Sequence, residues 1–472
     1  MRKKPNILFL MCDQMQADVI RPGNQSRTPN FDYLASMGMR FDRAYTPNAI
    51  CSPARASLMT GLLPHNHGVL CVIHNVDADQ ACLRADKPHW AQRLTEAGYL
   101  TGYFGKWHVE RSLDLKKFGW QRLEKPRKNI KNHAITYSLT KYHENPPGYP
   151  KALFYGVTDA GPENRGMGVT TDAALKFLDE AAKKTAPWCC FASINEPHDP
   201  FICSRKTFAT YDVDRIKLPA NVHDTLAGRP NIYKKAAKTF KNITDREHRE
   251  ARACYYASVT EIDTQYGRLI NKVRAMGQLD NTIIVLTADH GELLGAHRLY
   301  CKNISASEEI YNIPLIMAGP GIEKGVVTQA RVGLHDLAQT ILDLAGCDPI
   351  DVPDSRSFAS VCRVHQAHER KFRKGFAEYF GGRILLTQRV VWDGPWKFVF
   401  NGFDFDELYN LAKDPLEMHN LIDDPKHKNI LKKLCAYMWS VIKDTNDHCL
   451  HKSSYPILRV APYGPLIMQK KT

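Results

Sequence analysis

The sequence has no apolar run long enough to cross a membrane. No window in its 472 residues approaches the roughly 18 consecutive apolar residues that a membrane span needs. Internal repeats and low-complexity segments are also missing. The hydrophobic content of 43% and charged content of 24% are ordinary for globular proteins and exclude global disorder. The length allows one large domain or several smaller units around a sizeable core.

The sequence also lacks a disulfide framework. Its 13 cysteines are an odd number without regular spacing, and Cys189 and Cys190 are adjacent in an apolar run. Adjacent cysteines are poorly placed for pairing with each other. The pattern predicts reduced and mostly buried thiols in a reducing compartment.

A secretory signal is not evident at the N-terminus. The chain starts with basic residues, but the apolar run from Ile7 to Cys12 is short and Asp13 ends it. The run is too short for the apolar region of a signal peptide, and no small-residue cleavage site follows it. We therefore predict that this run is the first strand of the fold, and that the protein is cytoplasmic unless a leader was removed.

Acidic residues are too few to balance the basic ones, and the formal net charge is +14. The densest basic groups, 125–133 and 233–242, are not interleaved with aromatic residues. No zinc-finger or RNA-binding signature is present, so we expect no nucleic-acid partner. The charge indicates either a solvated basic surface or a field that attracts small anions.

The apolar segments predict an α/β fold. Short apolar runs at 6–12, 188–195, 282–289 and 314–319 alternate with helix-like stretches at 30–38, 90–97, 170–184, 246–276 and 335–346. Continuous apolar strands separated by helices are typical of a large, mainly parallel central sheet sandwiched between helices. We assign this catalytic domain to residues 1–370.

The pattern changes after about residue 370. Short alternating strands with turn signals at Asp393-Gly394-Pro395 and Asn401-Gly402 predict a smaller α+β domain at 371–448, built on an antiparallel sheet. The tail, 449–472, is proline-rich and apolar without helical periodicity. Such a tail is either frayed or tied to a neighbouring surface, and a homo-oligomer formed through it is one prediction.

Polar residues follow three of the predicted strands, at the end where ligands bind in open parallel sheets. The first strand is followed by Asp13 and Gln14, the strand at 282–289 ends in Asp289 before His290, and the strand at 188–195 leads to His198. Oxygen-rich donor sets favour calcium, magnesium or manganese over zinc. The strand ends therefore predict a divalent-metal site.

Cationic residues occur in nearby segments. Lys106 and His108 are two residues apart, so in an extended segment their side chains would point the same way. Lys302 follows the Asp289 strand, and Arg55 lies in the segment after Cys51. With His198, these groups suit a substrate that carries a tetrahedral oxyanion.

These segments resemble the sulfatase family, within the alkaline phosphatase superfamily. The family signature, Cys-x-Pro-Ser/Ala-Arg followed by Leu-x-Thr-Gly, is matched by Cys51, Pro53, Ala54, Arg55, Leu58, Thr60 and Gly61. The motifs "LMCDQ", "GKWH", "EPHDPF" and "TADHGELLGAH" follow in the family's order, and 407–421 resembles its C-terminal segment. The resemblance spans about residues 5–421 and is specific only because the motifs occur together.

The resemblance implies a covalent mechanism. In the family, a formylglycine-generating enzyme or a radical maturase oxidises the signature cysteine, here Cys51, to formylglycine. The hydrated aldehyde attacks sulfur, and its second hydroxyl then expels sulfate. A thiol would lack that second hydroxyl, whereas the hydrate splits one difficult step into two. A helix beginning near Ala54 would add a positive N-terminal dipole.

The resemblance also implies residue roles. It assigns the metal, most often Ca²⁺ with Mn²⁺ or Mg²⁺ as alternatives, to Asp13, Gln14, Cys51, Asp289 and His290. Arg55 and Lys106 would hold the aldehyde hydrate, and His108 would be the base that releases sulfate. His198 and Lys302 would contact the sulfate and assist the leaving oxygen.

Several alternatives stay open at this stage. Asp13-Gln14 and Asp289-His290 resemble choline sulfatases, iduronate-type glycan sulfatases and phosphonate monoester hydrolases. The favoured function is hydrolysis of a small anionic sulfate monoester, of a sugar or another polar alcohol; the alternative is a phosphonate monoester or phosphodiester hydrolase. A non-catalytic binding protein is a third hypothesis. The loops at 70–90 and 120–165 are expected to wall the pocket, and His65 and His67 to be loop residues without a catalytic role.

Overall fold

The computed structural model describes residues 4–77, 82–84, 86–124, 137–143, 148–302, 304–382, 386–450 and 460–468. The basic group at 125–133 and parts of the two expected pocket loops lie outside these ranges. Among the helices within them, none combines the length and apolarity of a membrane span.

A central sheet of nine strands forms the middle of the molecule. Eight strands follow the order β10-β2-β11-β9-β1-β7-β3-β4, and β12 pairs with β2. Their bounds are β1 Asn6–Cys12, β2 Gly38–Tyr45, β3 Leu100–Gly105, β4 Arg122–Glu124, β7 Trp188–Ile194, β9 Thr282–Ala288, β10 Asn312–Ile313, β11 Leu315–Ala318 and β12 Val326–Gly333. The centre is parallel, because β1 runs parallel to both β7 and β9, whereas β11 is antiparallel to β9.

The helices cover both faces of this sheet. The helices of the described fold, which include α13 on the C-terminal sheet, are α1 Pro29–Met37, α2 Cys51–Thr60, α3 Pro64–His67, α4 Trp90–Glu96, α5 Gly166–Ala181, α6 Arg205–Phe208, α7 Asn231–Ala237, α8 Asp245–Ala275, α9 Glu308–Tyr311, α10 Asp336–Ala345, α11 Ala359–Arg363, α12 His365–His368 and α13 Lys428–Asp444. Successive side chains of a strand point to opposite faces. Leu8 and Leu10 accordingly pack in the core with α5 and α8, and Ile7 and Phe9 in the core with α2, α4 and α10.

Two smaller sheets complete the described fold. Strands β5 Tyr137–His143, β6 Ala152–Thr158 and β8 Phe201–Ser204 form one beside α8. The other is an antiparallel meander of β13 Lys374–Tyr379, β14 Gln388–Asp393, β15 Trp396–Asn401 and β16 Glu407–Asn410. One face of the meander packs on α13, and the other face joins a cluster that contains Tyr45 of β2 and Tyr311 of α9.

The architecture confirms the predicted fold class, a mainly parallel sheet between helices with an antiparallel sheet towards the C-terminus. The domain boundaries and the oligomer arm stay predictions. Within the tail, residues 460–468 lie against α13 of the same chain, where Trp439 Nε1 donates a hydrogen bond to the Tyr463 carbonyl at 2.6 Å. The structure describes the side chains of twelve cysteines, all of which are free, and nine of them are buried.

Candidate active site

The polar residues that follow the central strands meet at one edge of the sheet. Asp13 and Gln14 come directly after β1, Asp289 and His290 after β9, and His198 four residues after β7. Since β1 lies between β7 and β9 in parallel register, all three strands deliver their carboxyl ends to the same place. The structure thus brings together the residues that the sequence selected at these strand ends.

Cys51 is the first residue of α2 and lies inside this group. The helix begins three residues earlier than Ala54, with Ile50 as its N-cap. The Cys51 Sγ lies 3.1 Å from His290 Nε2, 3.6 Å from Asp13 Oδ1 and 3.4 Å from Lys302 Nζ. Its side chain therefore stands at the N-terminal end of a helix, where backbone N–H groups favour negative charge.

Arg55 lies one turn after Cys51 and is completely buried. Its Nε donates to Asp289 Oδ2 at 2.7 Å, and its Nη2 donates to Asp13 Oδ2 at 3.0 Å. Its Nη1 donates to Ser193 Oγ and to the Lys106 carbonyl. Arg55 thus bridges the two carboxylates and fixes the distance between the strand ends.

Lys106 is positioned by a close approach of two strands. A Cβ at Gly105, which has a φ of +95°, would lie 2.1 Å from the Ser193 carbonyl oxygen. The glycine allows the next N–H, that of Lys106, to donate to this carbonyl at 2.9 Å. The Lys106 Nζ then lies 2.7 Å from Asp13 Oδ2.

Lys302 and His198 form a second cationic pair beside the cysteine. Lys302 Nζ lies 2.8 Å from His198 Nε2 and donates to Gln14 Oε1 at 3.0 Å. The other ring nitrogen of His198 lies 2.7 Å from the Asp199 carbonyl oxygen. Both side chains therefore face the space next to Cys51.

The local charges favour an anion at the position of Cys51. Burial and the Asp13 carboxylate oppose ionisation of the thiol. Lys106, Lys302 and His290 outweigh them and hold the pKa of Cys51 well below its usual value. Excess positive charge at this point is what a tetrahedral oxyanion would need.

The charges around His198 raise its pKa. Burial and the neighbouring Lys302 oppose its charge, but Asp13, Cys51 and Asp199 raise its pKa to about 9. A protonated imidazole can donate a hydrogen bond or a proton to an oxygen bound beside it.

Gln14 is held by two acids that the sequence did not single out. Its Nε2 donates to Asp199 Oδ1 at 2.9 Å and to Glu292, so the amide oxygen is directed towards Lys302. The backbone of Gln14 has a left-handed φ of 66°, and its N–H donates to Asp289 Oδ1 at 3.1 Å. Burial and Asp199 raise the pKa of Glu292 to about 7. Glu292 lies within the motif TADHGELLGAH, but the sequence assigned it no role, because its partner is 278 residues away.

His108 contacts a histidine that the sequence argument missed. Its Nε2 lies 3.1 Å from Nδ1 of His74, and the rings are nearly parallel, at an angle of 17°. The extended geometry assumed for 106–108 is wrong, since β3 ends at Gly105 and His108 has a φ of 52°. Strand alternation therefore does not set the direction of the His108 side chain.

The donor set fits a divalent cation. Asp13, Cys51, Asp289 and His290 each offer one ligand atom, and these four atoms lie within 4.8 Å of one another. Ligands on opposite sides of a calcium ion are about 5 Å apart, given Ca–O distances of about 2.3–2.6 Å. Two buried carboxylates side by side are costly without positive charge, which Arg55 and Lys106 provide in part.

His65 and His67 lie apart from this group, in the short helix α3 and not in a loop. His65 Nδ1 lies 2.9 Å from Glu378 Oε2, and His67 Nε2 lies 3.0 Å from Ser57 Oγ. Both are partnered by residues outside the cluster around Cys51.

The fold and this cluster define a hydrolase of anionic esters, with a potential nucleophile at a helix N-terminus among metal-type ligands and cations. The sulfatase family profile matches residues 5–347, and a profile described as N-sulphoglucosamine sulphohydrolase, C-terminal, matches residues 295–444. The chain belongs to the sulfatase family and is a hydrolase that acts on sulfuric ester bonds.

Curated relatives agree with this assignment. The chain is 29% identical to the uncharacterized sulfatase YidJ of Escherichia coli (strain K12) over 443 residues, covering 92% of this chain and 86% of the relative. It is 28% identical to a choline-sulfatase of Rhizobium meliloti (strain 1021) over 449 residues, covering 90% and 83%.

Solved structures share the fold at lower identity. A phosphonate monoester hydrolase from Silicibacter pomeroyi has a TM-score of 0.79 at 24% identity, covering 98% of this chain and all of the other. A protein solved in complex with its substrate D-glucosamine-2-N,6-O-disulfate has a TM-score of 0.76 at 22% identity, covering 95% and 99%. At such identities the likeness establishes the fold alone.

Proposed function

We propose that the protein hydrolyses a sulfate monoester of a sugar or another small polar alcohol, using a formylglycine made from Cys51 and one divalent cation, calcium. The observation that carries this proposal is the position of Cys51. It is the first residue of α2, within 3.1–3.6 Å of His290, Lys302 and Asp13, and it lies in the family's signature sequence.

The cation would be held by Asp13, Gln14, Asp289 and His290 together with the residue made from Cys51. The four ligand atoms that lie within 4.8 Å of one another support this assignment. A bound calcium ion would lower the pKa of the attacking hydroxyl and neutralise part of the sulfate charge.

The hydrated aldehyde made from Cys51 would supply the attacking hydroxyl and, through its second hydroxyl, the route by which sulfate leaves. Lys302 and His198, which lie together beside the cysteine, would bind the sulfate oxygens. His198, whose pKa is raised by Asp13 and Asp199, would also donate a proton to the leaving alcohol oxygen.

Two further groups would act on the nucleophile itself. Lys106, paired with Asp13 at 2.7 Å, would stabilise its negative charge. His108 would accept the proton of the second hydroxyl when sulfate is released. A maturase, either a formylglycine-generating enzyme or a radical enzyme, is the implied protein partner.

The first experiment measures the mass of the tryptic peptide that contains Cys51 and the release of sulfate from an aryl sulfate. We expect conversion of the cysteine to the aldehyde, and complete loss of turnover in Cys51→Ala. The matched control is Cys82→Ala, because Cys82 is exposed and lies outside the cluster. A Cys51→Ala variant with full activity would contradict the mechanism.

A second experiment compares an aryl sulfate with an aryl phosphonate. Gln14, His290 and the likeness to phosphonate monoester hydrolases make the phosphonate the relevant competitor. We expect a higher kcat/KM on the sulfate; a far higher value on the phosphonate would reverse the assignment. Free sulfate released from sulfated monosaccharides, sulfated disaccharides and choline sulfate would then identify the alcohol.

A further inference from the structure

A cavity of about 480 Å³ lies away from the cysteine, between β12, β13 and α13. Its walls include Arg331 and Lys374 of the sheets, Arg356 of a loop, Lys371 at the end of a short 3-10 helix, and Tyr437 of α13. The cavity therefore opens where the antiparallel sheet meets the edge of the central sheet.

The cavity has an excess of positive charge. Five lysines and arginines line it, namely Arg331, Arg356, Lys371, Arg373 and Lys374, against three aspartates, Asp336, Asp354 and Asp444. Asp336 already accepts backbone N–H bonds from Gly333 and Arg356, and Asp354 accepts from Leu63 and Asn66.

Most of these cations form no ion pair with a carboxylate in the described part of the chain. Arg373 is paired, with Asp393 Oδ1 at 2.9 Å. Within the part of the chain that the structure describes, no carboxylate lies within 4.0 Å of the charged nitrogens of Arg331, Arg356, Lys371 or Lys374. Lys374 instead lies over the ring of Tyr437, 4.7 Å from its centroid.

Arg331 is the buried member of this group, with 3% of its surface exposed. Its two terminal nitrogens donate to the carbonyls of Arg373 and Gly394, and its guanidinium lies 5.3 Å from the ring centroid of Tyr45. Its buried Nε donates to no acceptor among the described residues, and the Nδ1 of the neighbouring His335 is likewise without a partner there. Buried polar atoms without partners cost free energy unless a ligand or water satisfies them.

We propose that this cavity binds a small tetrahedral oxyanion, sulfate or phosphate, either free or carried on a sugar. Arginine and lysine are the side chains that bind such groups most often, through charge-assisted hydrogen bonds. Arg331 would contribute a positive charge in the buried wall of the cavity, and Lys371 and Lys374 would contribute charge from the rim.

This site is separate from the catalytic cluster. Strand β13 runs from Lys374 at the cavity to Tyr379, about 17 Å along the strand at about 3.3 Å per residue. Tyr379 packs with Ile50 and Val72 next to Cys51. The proposal therefore does not depend on the chemistry proposed for Cys51.

The test is calorimetric titration of the full chain with sodium sulfate, at an ionic strength held constant with sodium chloride. The variant Lys302→Ala is used to remove sulfate binding beside Cys51, so that the sulfate binding that remains is assigned to the cavity. In this background we expect saturable sulfate binding that Lys371→Ala/Lys374→Ala weakens at least tenfold. Lys183→Ala/Lys184→Ala removes the same charge from an exposed site after α5 and should leave the binding unchanged.

Arg331→Gln is the second variant, checked for folding by its thermal unfolding, and we expect it to lose the binding as well. Titration with D-glucosamine 6-sulfate distinguishes the two sources: tighter binding than inorganic sulfate assigns the site to a sulfated sugar, and equal binding to the free ion. Equal titrations of the Lys371/Lys374 variant and its control would overturn the proposal. Complete loss of sulfate binding in Lys302→Ala alone would do the same.

Discussion

Arg55 holds together two carboxylates that would repel each other in a dry interior. It reaches Asp13 and Asp289 with separate nitrogens, at 3.0 and 2.7 Å, and all three side chains are fully buried. The planar guanidinium has several fixed donors, whereas a lysine could place only one point charge there. At the scale of the residue, the signature arginine thus has a structural function in addition to the contact with the aldehyde hydrate that the family resemblance implies.

Substitution of His74 tests whether its contact with His108 matters for turnover. His74→Phe keeps a ring but removes the nitrogen that lies 3.1 Å from His108 Nε2. If His108 is the base, this hydrogen bond selects which of its nitrogens carries the proton. A hydrogen bond of about 1 kcal/mol corresponds to about a fivefold effect, so we expect a kcat about fivefold lower, a shifted pH–rate profile and little change in KM.

The control for this variant is Asn75→Ala, which changes the next exposed side chain and should not alter kcat. His74→Asn retains groups that can hydrogen-bond to His108 and should recover part of the rate. An unchanged kcat and pH profile in His74→Phe would show that the contact has no part in turnover.

The residues at the strand ends could be predicted from the sequence, and His74 could not. Asp13, Asp289 and His198 each follow a recognisable apolar run, and the parallel arrangement of such runs predicts where their ends meet. His74 lies in a loop and approaches His108 from 34 residues away. Its place depends on tertiary packing, which leaves no local pattern in one sequence.

At the scale of the element, continuous apolar runs located the central strands because those strands are buried on both faces. The run at 314–319 became β11, but its antiparallel pairing with β9 and β2 carries no signal in the run itself. Strand β2 includes half-buried charged residues such as Arg40, and β12 includes the exposed residues Val327 and Gln329, so neither strand was predicted. Strand alternation also gave a wrong geometry for His108, because Gly105 ends β3 before the motif is complete.

The helix α3 is joined to the antiparallel sheet by a protonated histidine. His65 Nδ1 contacts Glu378 of β13, and its Nε2 lies 3.0 Å from the Thr445 carbonyl oxygen. Burial opposes the charge, but Glu378 outweighs it and raises the pKa of His65 to about 9. In the unfolded chain the pKa is about 6.5.

The contact between His65 and Glu378 should make the free energy of unfolding depend on pH. Because the folded pKa is the higher one, the stabilisation is complete below about pH 6.5 and is lost as the pH rises through about 9. The rise in the pKa of His65 from about 6.5 to about 9 corresponds to at most about 3 kcal/mol of the free energy of unfolding. We expect urea unfolding to show a fall in the free energy of unfolding between pH 6.5 and 9 that is smaller in His65→Gln.

The control is His223→Gln, which removes a histidine whose side chain is 70% exposed. That variant should keep the pH dependence of the unmodified sequence. If the free energy of unfolding depends on pH in the same way in His65→Gln and in the unmodified sequence, the contact between His65 and Glu378 is not the cause of that dependence. Sulfatase activity at pH 7 should survive in His65→Gln, since His65 lies outside the cluster around Cys51.

At the scale of the whole molecule, the proposed cation would connect strands from distant parts of the chain. Asp13 follows β1 and Asp289 follows β9, so binding would hold the first and the third hundred residues together. A ligand that binds only the folded state stabilises it by about 2.7 kcal/mol at a concentration one hundred times its Kd. We expect EGTA to abolish turnover and lower the unfolding temperature, and added Ca²⁺ to restore both.

Mn²⁺ and Mg²⁺ are the comparison ions for this experiment. Restoration by Mn²⁺ but not by Ca²⁺ would change the identity of the metal, in keeping with the imidazole of His290. An unfolding temperature that does not respond to EGTA or to any of the three ions would argue against a metal at these residues.

The burial of the signature sequence would set a time limit on the proposed modification of Cys51. Cys51 and Arg55 are 2% and 0% exposed, so a maturase could not reach them in the finished fold. Two residues that bury the signature are synthesised about 250 residues after Cys51. They are Asp289, which follows β9 and binds Arg55, and Lys302, which contacts Cys51. At about 5–20 residues per second, synthesis leaves roughly 12–50 s for the conversion. Under the proposed conversion, the fraction of active enzyme in a host therefore depends on whether the maturase acts on Cys51 before the residues that bury it have been synthesised. Slower translation should raise that fraction.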